Sequence, residues 1–164
     1  MKNTVCLKFV SAMICGLMLF GCGKQLENTA DGELYVFVTK AEATEIDKIN
    51  DLLFTCDDIL SFNEKTREIV FNRGIMDERM FHAQLHFFIG EKPVFSEPLK
   101  IYFDVMSQLW CDLLFVVKGG EQRGGFFIIY FDCKEHAEKM KRREKELDVL
   151  IKYLRNAGKI ASKK

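Results

Sequence analysis

Cys111 beside Asp112, Cys133 beside Asp132, and His136 three residues further on are the side chains from which a thiol nucleophile would be assembled. A catalytic thiolate needs a neighbour that lowers its pKa and a base that takes its proton. No sequence signature of a thiol enzyme surrounds either cysteine, so both read as structural thiols. His82 and His86 are four apart, a spacing that puts both on one face of a strand or a helix and could open a metal site. His82-Ala83-Gln84-Leu85-His86 lacks the glutamate of His-Glu-x-x-His and a third ligand. The expectation is two histidines on the polar face of a strand, with no metal and no cofactor. Gly119 to Gly125 holds four glycines, but a phosphate cradle needs Gly-Lys-Ser/Thr and a helix after it. An apolar, strand-like run follows instead, so this segment reads as a hairpin loop that touches a ligand only as loops do. Asp57-Asp58 caps a turn before Ile59, and one pair falls short of a calcium loop. Trp110, close in sequence to Tyr102, Phe103 and Phe115, fits a sugar platform and a core anchor equally well. No catalytic residue is assigned.

The elements that must position these residues are legible from periodicity. Leu34 to Val38 is a short strand. Thr44-Glu45-Ile46-Asp47 resembles a helix cap, and Ile46, Ile49, Leu52 and Leu53 follow at helical spacing, which predicts a short amphipathic helix. Ile59–Asn63 and Arg67–Phe71 flank Glu64-Lys65-Thr66 as a hairpin. One helical turn is expected over Asp77–Phe81. In His82–Ile89, Ala83, Leu85, Phe87 and Ile89 alternate with His82, Gln84 and His86; Leu99, Ile101, Phe103 and Val105 alternate in the same way. Leu113–Val117 and Phe126–Phe131 are apolar throughout, the mark of strands buried on both faces. A long helix is predicted over residues 134–157: Ala137, Met140, Leu147, Ile151 and Leu154 fall on one stripe that Glu144 interrupts, and Gly158 stops it. The stripe favours packing on the protein's own sheet over a coiled-coil seam, because one seam position is charged.

The fold class expected is therefore α+β. An antiparallel sheet of about five to seven strands carries a short N-terminal helix and a long C-terminal amphipathic helix.

The N-terminal residues carry a different message. Lys2 and Lys8 precede an apolar run from Phe9 to Phe20, shorter than the ~20 residues that span a bilayer. A basic start, a short apolar run and a small residue at its end are the pattern of a secretory signal. Leu19-Phe20-Gly21-Cys22 resembles the lipobox of bacterial lipoproteins. That resemblance implies removal of residues 1–21, lipidation of Cys22 with diacylglyceryl and palmitate-type acyl chains, and an envelope address. Gly23 in place of Asp implies the outer membrane, with the membrane face left open. Residues 22–33 then form a flexible tether and residues 34–164 a single domain. Two further stretches, Thr55–Asn63 with Thr66–Phe71 and Lys152–Ile160, resemble small, uncharacterised lipoproteins of Bacteroidales-type bacteria. Such proteins have no assigned reaction, and the resemblance transfers no functional residue. Members often carry Gly where Cys56 stands, which argues against a required disulfide there.

Cys6 and Cys15 lie inside the signal. Cys56, Cys111 and Cys133 remain beside Cys22, an odd set that admits at most one internal disulfide in an oxidising envelope. Their spacings match no zinc pattern, and buried thiols acting as small apolar groups remain the alternative.

The 164-residue chain is formally neutral, with 15 Phe and only 2 Pro, a composition that suits a packed globule rather than disorder. Its charge is uneven: residues 22–133 hold 11 Lys/Arg against 19 Asp/Glu (−8), and residues 134–164 hold 11 against 5 (+6). A solvated basic helix on an acidic body accounts for this, and so does a tail that touches anionic headgroups or an acidic partner. An exported protein has no nucleic-acid partner. The function expected is a non-enzymatic binding or interaction domain, held on the membrane through Cys22, with a protein or glycan partner. Two other classes stay open: a hydrolase or thiol enzyme at the membrane surface, and a structural subunit that dimerises through the C-terminal helix.

Overall fold

The structure, a computed structural model, describes residues 32–75, 77–103, 112–118, 122–129 and 136–161. Its strands are β1 (Leu34–Lys40), β2 (Leu52–Thr55), β3 (Ile59–Asn63), β4 (Glu68–Phe71), β5 (Ala83–Ile89), β6 (Lys92–Pro93), β7 (Leu99–Phe103), β8 (Asp112–Val117) and β9 (Arg123–Ile129). A 3-10 turn covers Glu78–Met80, and one α-helix, α1, covers Ala137–Asn156. All nine strands join one sheet in the order β2-β1-β5-β7-β8-β9-β4-β3, with β6 attached to β5. The α+β class holds, with more strands than the five to seven expected.

Two features depart from the sequence reading. First, the sheet is mixed: β7 and β8 are parallel, with Lys100 facing Leu114 and Phe103 facing Val117. Apolar alternation carries no strand direction. The continuous apolar run of β8, buried on both faces, was its only trace of a parallel neighbour. Second, the expected N-terminal helix around Thr44–Leu53 is absent. Asp47 takes hydrogen bonds from the Ile49 and Asn50 amides (2.9 and 3.2 Å) and from Asn50 Nδ2. This Asx arrangement outcompetes helix propagation after a single turn, closed by Asp51 N–H to the Asp47 carbonyl. Leu52 and Leu53 then enter β2, and Ile49, assigned to an apolar helix face, stands 87 % exposed.

The sheet curls until its two edge strands nearly meet. β2 and β3 are separated only by residues 56–58, and the rings of Phe54 on β2 and Phe71 on β4 lie 4.9 Å apart. Phe54, Phe87, Phe115 and Phe126 meet inside in edge-on and tilted pairs, the geometry that aromatic quadrupoles favour. α1 adds Leu147, Leu150 and Leu154 to the same core, so its apolar face is spent on its own sheet. The helix ends where the sequence places it, with Gly158 at φ +71° beyond its last residue.

Candidate functional site

β5 and β7 pair only at Gln84–Lys100 and Leu85–Leu99. Beyond Leu85, β5 instead turns back into β6, pairing Phe88 with Pro93 and Ile89 with Lys92. Pro93 and Pro98 bracket the segment that follows. Neither has an N–H to give to a ladder, so the sheet parts here. A cleft of about 130 Å³ opens in the gap, lined by His86, Phe87, Phe88, Pro93, Phe95, Ser96 and Pro98.

Strand alternation sends Phe87 into the core and His86 to the outer face of β5. His86 Nε2 lies 2.9 Å from the hydroxyl of Thr39, which is buried on the neighbouring strand β1. Burial pushes the imidazole pKa down, and the negative charge of Asp51 only partly opposes it. His86 is therefore neutral at neutral pH. Phe88 packs edge-on against Phe37, which stacks beside Tyr35, so the wall on that side is aromatic.

The floor of the cleft is fixed by α1. Glu146 accepts the Ser96 amide at 3.0 Å, and Arg143 donates to the carbonyls of Glu97 (2.7 Å) and Pro98 (3.4 Å). Arg143 is only 1 % exposed and is neutralised by Asp112 at 3.0 Å, with Glu146 at 3.4 Å. Lys139 reaches the other Asp112 oxygen at 2.7 Å. Burial pushes the Asp112 carboxyl up, but the Lys139 bond, the Arg143 charge and the Leu113 amide together outweigh it and hold the pKa below the ordinary value.

A neutral imidazole and an apolar aromatic wall around a space of this size suit one apolar or aromatic side chain, or a few waters. Pockets for whole metabolites run from about 300 Å³ upward.

The other residues singled out from sequence are scattered. Cys22, Cys111, Cys133, Asp132, Trp110 and residues 119–121 lie outside the described residues. Cys56 is a free, buried thiol. Beside it, burial and then the Cys56 contact push the Tyr153 hydroxyl up to about 12, and that hydroxyl accepts the Leu34 amide at 3.0 Å. His136 is exposed at the start of α1, and Asp112 is engaged by Lys139 and Arg143, not by an imidazole. His82 is not on β5: it sits in the preceding turn at φ +57°, so it does not share a strand face with His86. Asp58 does cap its turn, accepting the Thr55 amide at 2.9 Å. Gly124 and Gly125 belong to β9 and not to the loop before it. Among the described residues no group of three or more His, Cys, Asp or Glu could hold a metal ion. None of their helices is long and apolar enough to cross a membrane.

The sequence reading missed both Arg143 and the cleft. Arg143 falls three residues after Met140 and four before Leu147, inside the apolar stripe, which was the available signal. For the cleft the signal was the pair of prolines flanking Val94–Glu97. No protein-family model matches the chain, no curated protein matches its sequence, and no solved structure matches its fold.

Proposed function

We propose that the protein is a lipid-anchored lipoprotein of the bacterial cell envelope, placed in the outer membrane, whose sheet domain is a binding module rather than an enzyme. The observation that carries this reading is Leu19-Phe20-Gly21-Cys22 at the end of a short apolar run. Three acyl chains on Cys22 anchor it permanently, since each buried methylene adds about 0.8 kcal/mol and a single chain holds only reversibly. The cleft beside His86 supports the binding half of the proposal. It accepts a group the size of a side chain, as a protein or glycan partner would present.

Cys22→Ser decides the anchor. The variant leaves the membrane fraction after a high-salt wash, and the wild-type N-terminal peptide shows the mass of an acylated cysteine. A wild-type mature terminus without acyl mass would falsify the proposal.

A further inference from the structure

We propose that α1 lies against the anionic lipid surface to which the chain is anchored, with Lys141, Lys145 and Lys152 as the contact residues. This rests on the acyl-anchor reading above.

The first observation is how the basic residues of α1 are used. Lys139, Arg142, Arg143 and Arg155 are paired with Asp112, Glu97, Glu146 and Glu64. Lys141, Lys145 and Lys152 are exposed and make no ion pair among the described residues. Spacings of four and seven residues put the three on one narrow face of the helix. Val149 and Glu138, both exposed, share that face, and Asp148 borders it.

The second observation is where the tether leaves the domain. The Leu34 amide is bonded at 3.0 Å to the Tyr153 hydroxyl on the last turns of α1, so the chain toward Cys22 departs beside this helix. Residues 22–33 extend at most ~40 Å, and a helix of 20 residues is ~30 Å long. The lipid surface is therefore within reach of the whole stripe, and no other anionic surface is guaranteed to be.

The third is the charge of the molecule. The −8 body is repelled by an anionic bilayer and the +6 tail is attracted, which turns α1 toward the lipid. Each lysine at such a surface strengthens attachment about fivefold, and salt screens it.

The test uses the acylated protein purified from membranes and placed on vesicles of phosphatidylcholine alone or of an equal mixture with phosphatidylglycerol. Amine-reactive labelling is read lysine by lysine by peptide mass spectrometry. On the mixed vesicles labelling of Lys141, Lys145 and Lys152 falls severalfold, while Lys40, at the far end of β1, and Lys48, beyond it, label as before. High salt reverses the protection. Equal labelling on both vesicles overturns the proposal, and protection seen only in native membranes overturns it in favour of an acidic protein partner. Failure of the anchor is a separate outcome, because the protein then does not pellet with phosphatidylcholine vesicles at all.

Discussion

Arg143 is the residue through which α1 grips the sheet. Its guanidinium donates to two carbonyls of the 97–98 turn and to Asp112 at the start of β8, and its central carbon lies over the Phe95 ring, 6.0 Å from the ring centre. A buried charge is tolerable only with its partners in place. Asp112→Asn leaves Arg143 and Lys139 facing a neutral amide. The expected cost is about 3–5 kcal/mol in urea unfolding, the range for breaking one side of a buried pair. Acid titration gives a second signature. Because the folded carboxyl titrates below its unfolded value of about 3.9, its contribution is present above that pH and is lost as pH falls through the lower, folded value. Asp58, Asp77 and Glu97 are also held low, so the wild type keeps an acid limb of which Asp112 supplies one part. The variant's stability should fall less steeply below about pH 4. An unchanged slope would show that Asp112 does not titrate in this way.

At the scale of elements, the strand pair β8–β9 depends on one missing side chain. A Cβ on Gly124 would come within 2.7 Å of the Phe115 ring, which is fully buried and wedged against Phe54, Phe87 and Phe126. Gly124→Ala should therefore destabilise by about 1–3 kcal/mol, as overpacked cores do, although alanine suits a strand better than glycine. A melting temperature equal to or above wild type would mean that Phe115 yields freely. The same pair shows what a sequence can and cannot display. β5, β7, β8, the β3–β4 hairpin and α1 were legible because burial on one or both faces imposes a period. β2 was not, because Ile46, Ile49, Leu52 and Leu53 satisfy helical spacing equally well, and the contest was settled by Asp47 side-chain bonds that no period records. The cleft was not legible because it is made by a ladder that stops, between strands whose last facing positions, Leu85 and Leu99, are 14 residues apart in the chain. His86 was placed correctly on the outward face, but its apparent partner His82 was lost to a turn, and its actual neighbour, Thr39, comes from another strand.

At the scale of the whole molecule, the question is how a curled sheet protects the two edges it leaves. Exposed edges invite pairing with other chains. The β3 edge is covered by the chain's own C-terminal segment: the Phe62 amide donates to the Lys159 carbonyl at 2.7 Å, and Ala161 donates back to Phe62 at 2.8 Å. The β2 edge is closed by a side chain. Arg73, just after β4, donates to the Leu53 carbonyl at 2.9 Å and makes a two-pronged contact with Asp58 at 2.6 and 3.1 Å, while Asp58 holds the Thr55 amide. One guanidinium thus spans the seam between the first and last strands of the sheet. Arg73 is half exposed, so solvent screens the pair and its Coulombic share is small, and Arg73→Ala should cost only about 1 kcal/mol overall. Its effect should be local. Hydrogen exchange at Thr55 and the neighbouring amides of β2 should quicken markedly, while β5, β8 and β9 exchange as before, because edge elements open without unfolding the core. Exchange that rises evenly across all strands, or not at all at Thr55, would mean that the seam is closed by the Phe54–Phe71 contact and the short 56–58 link alone.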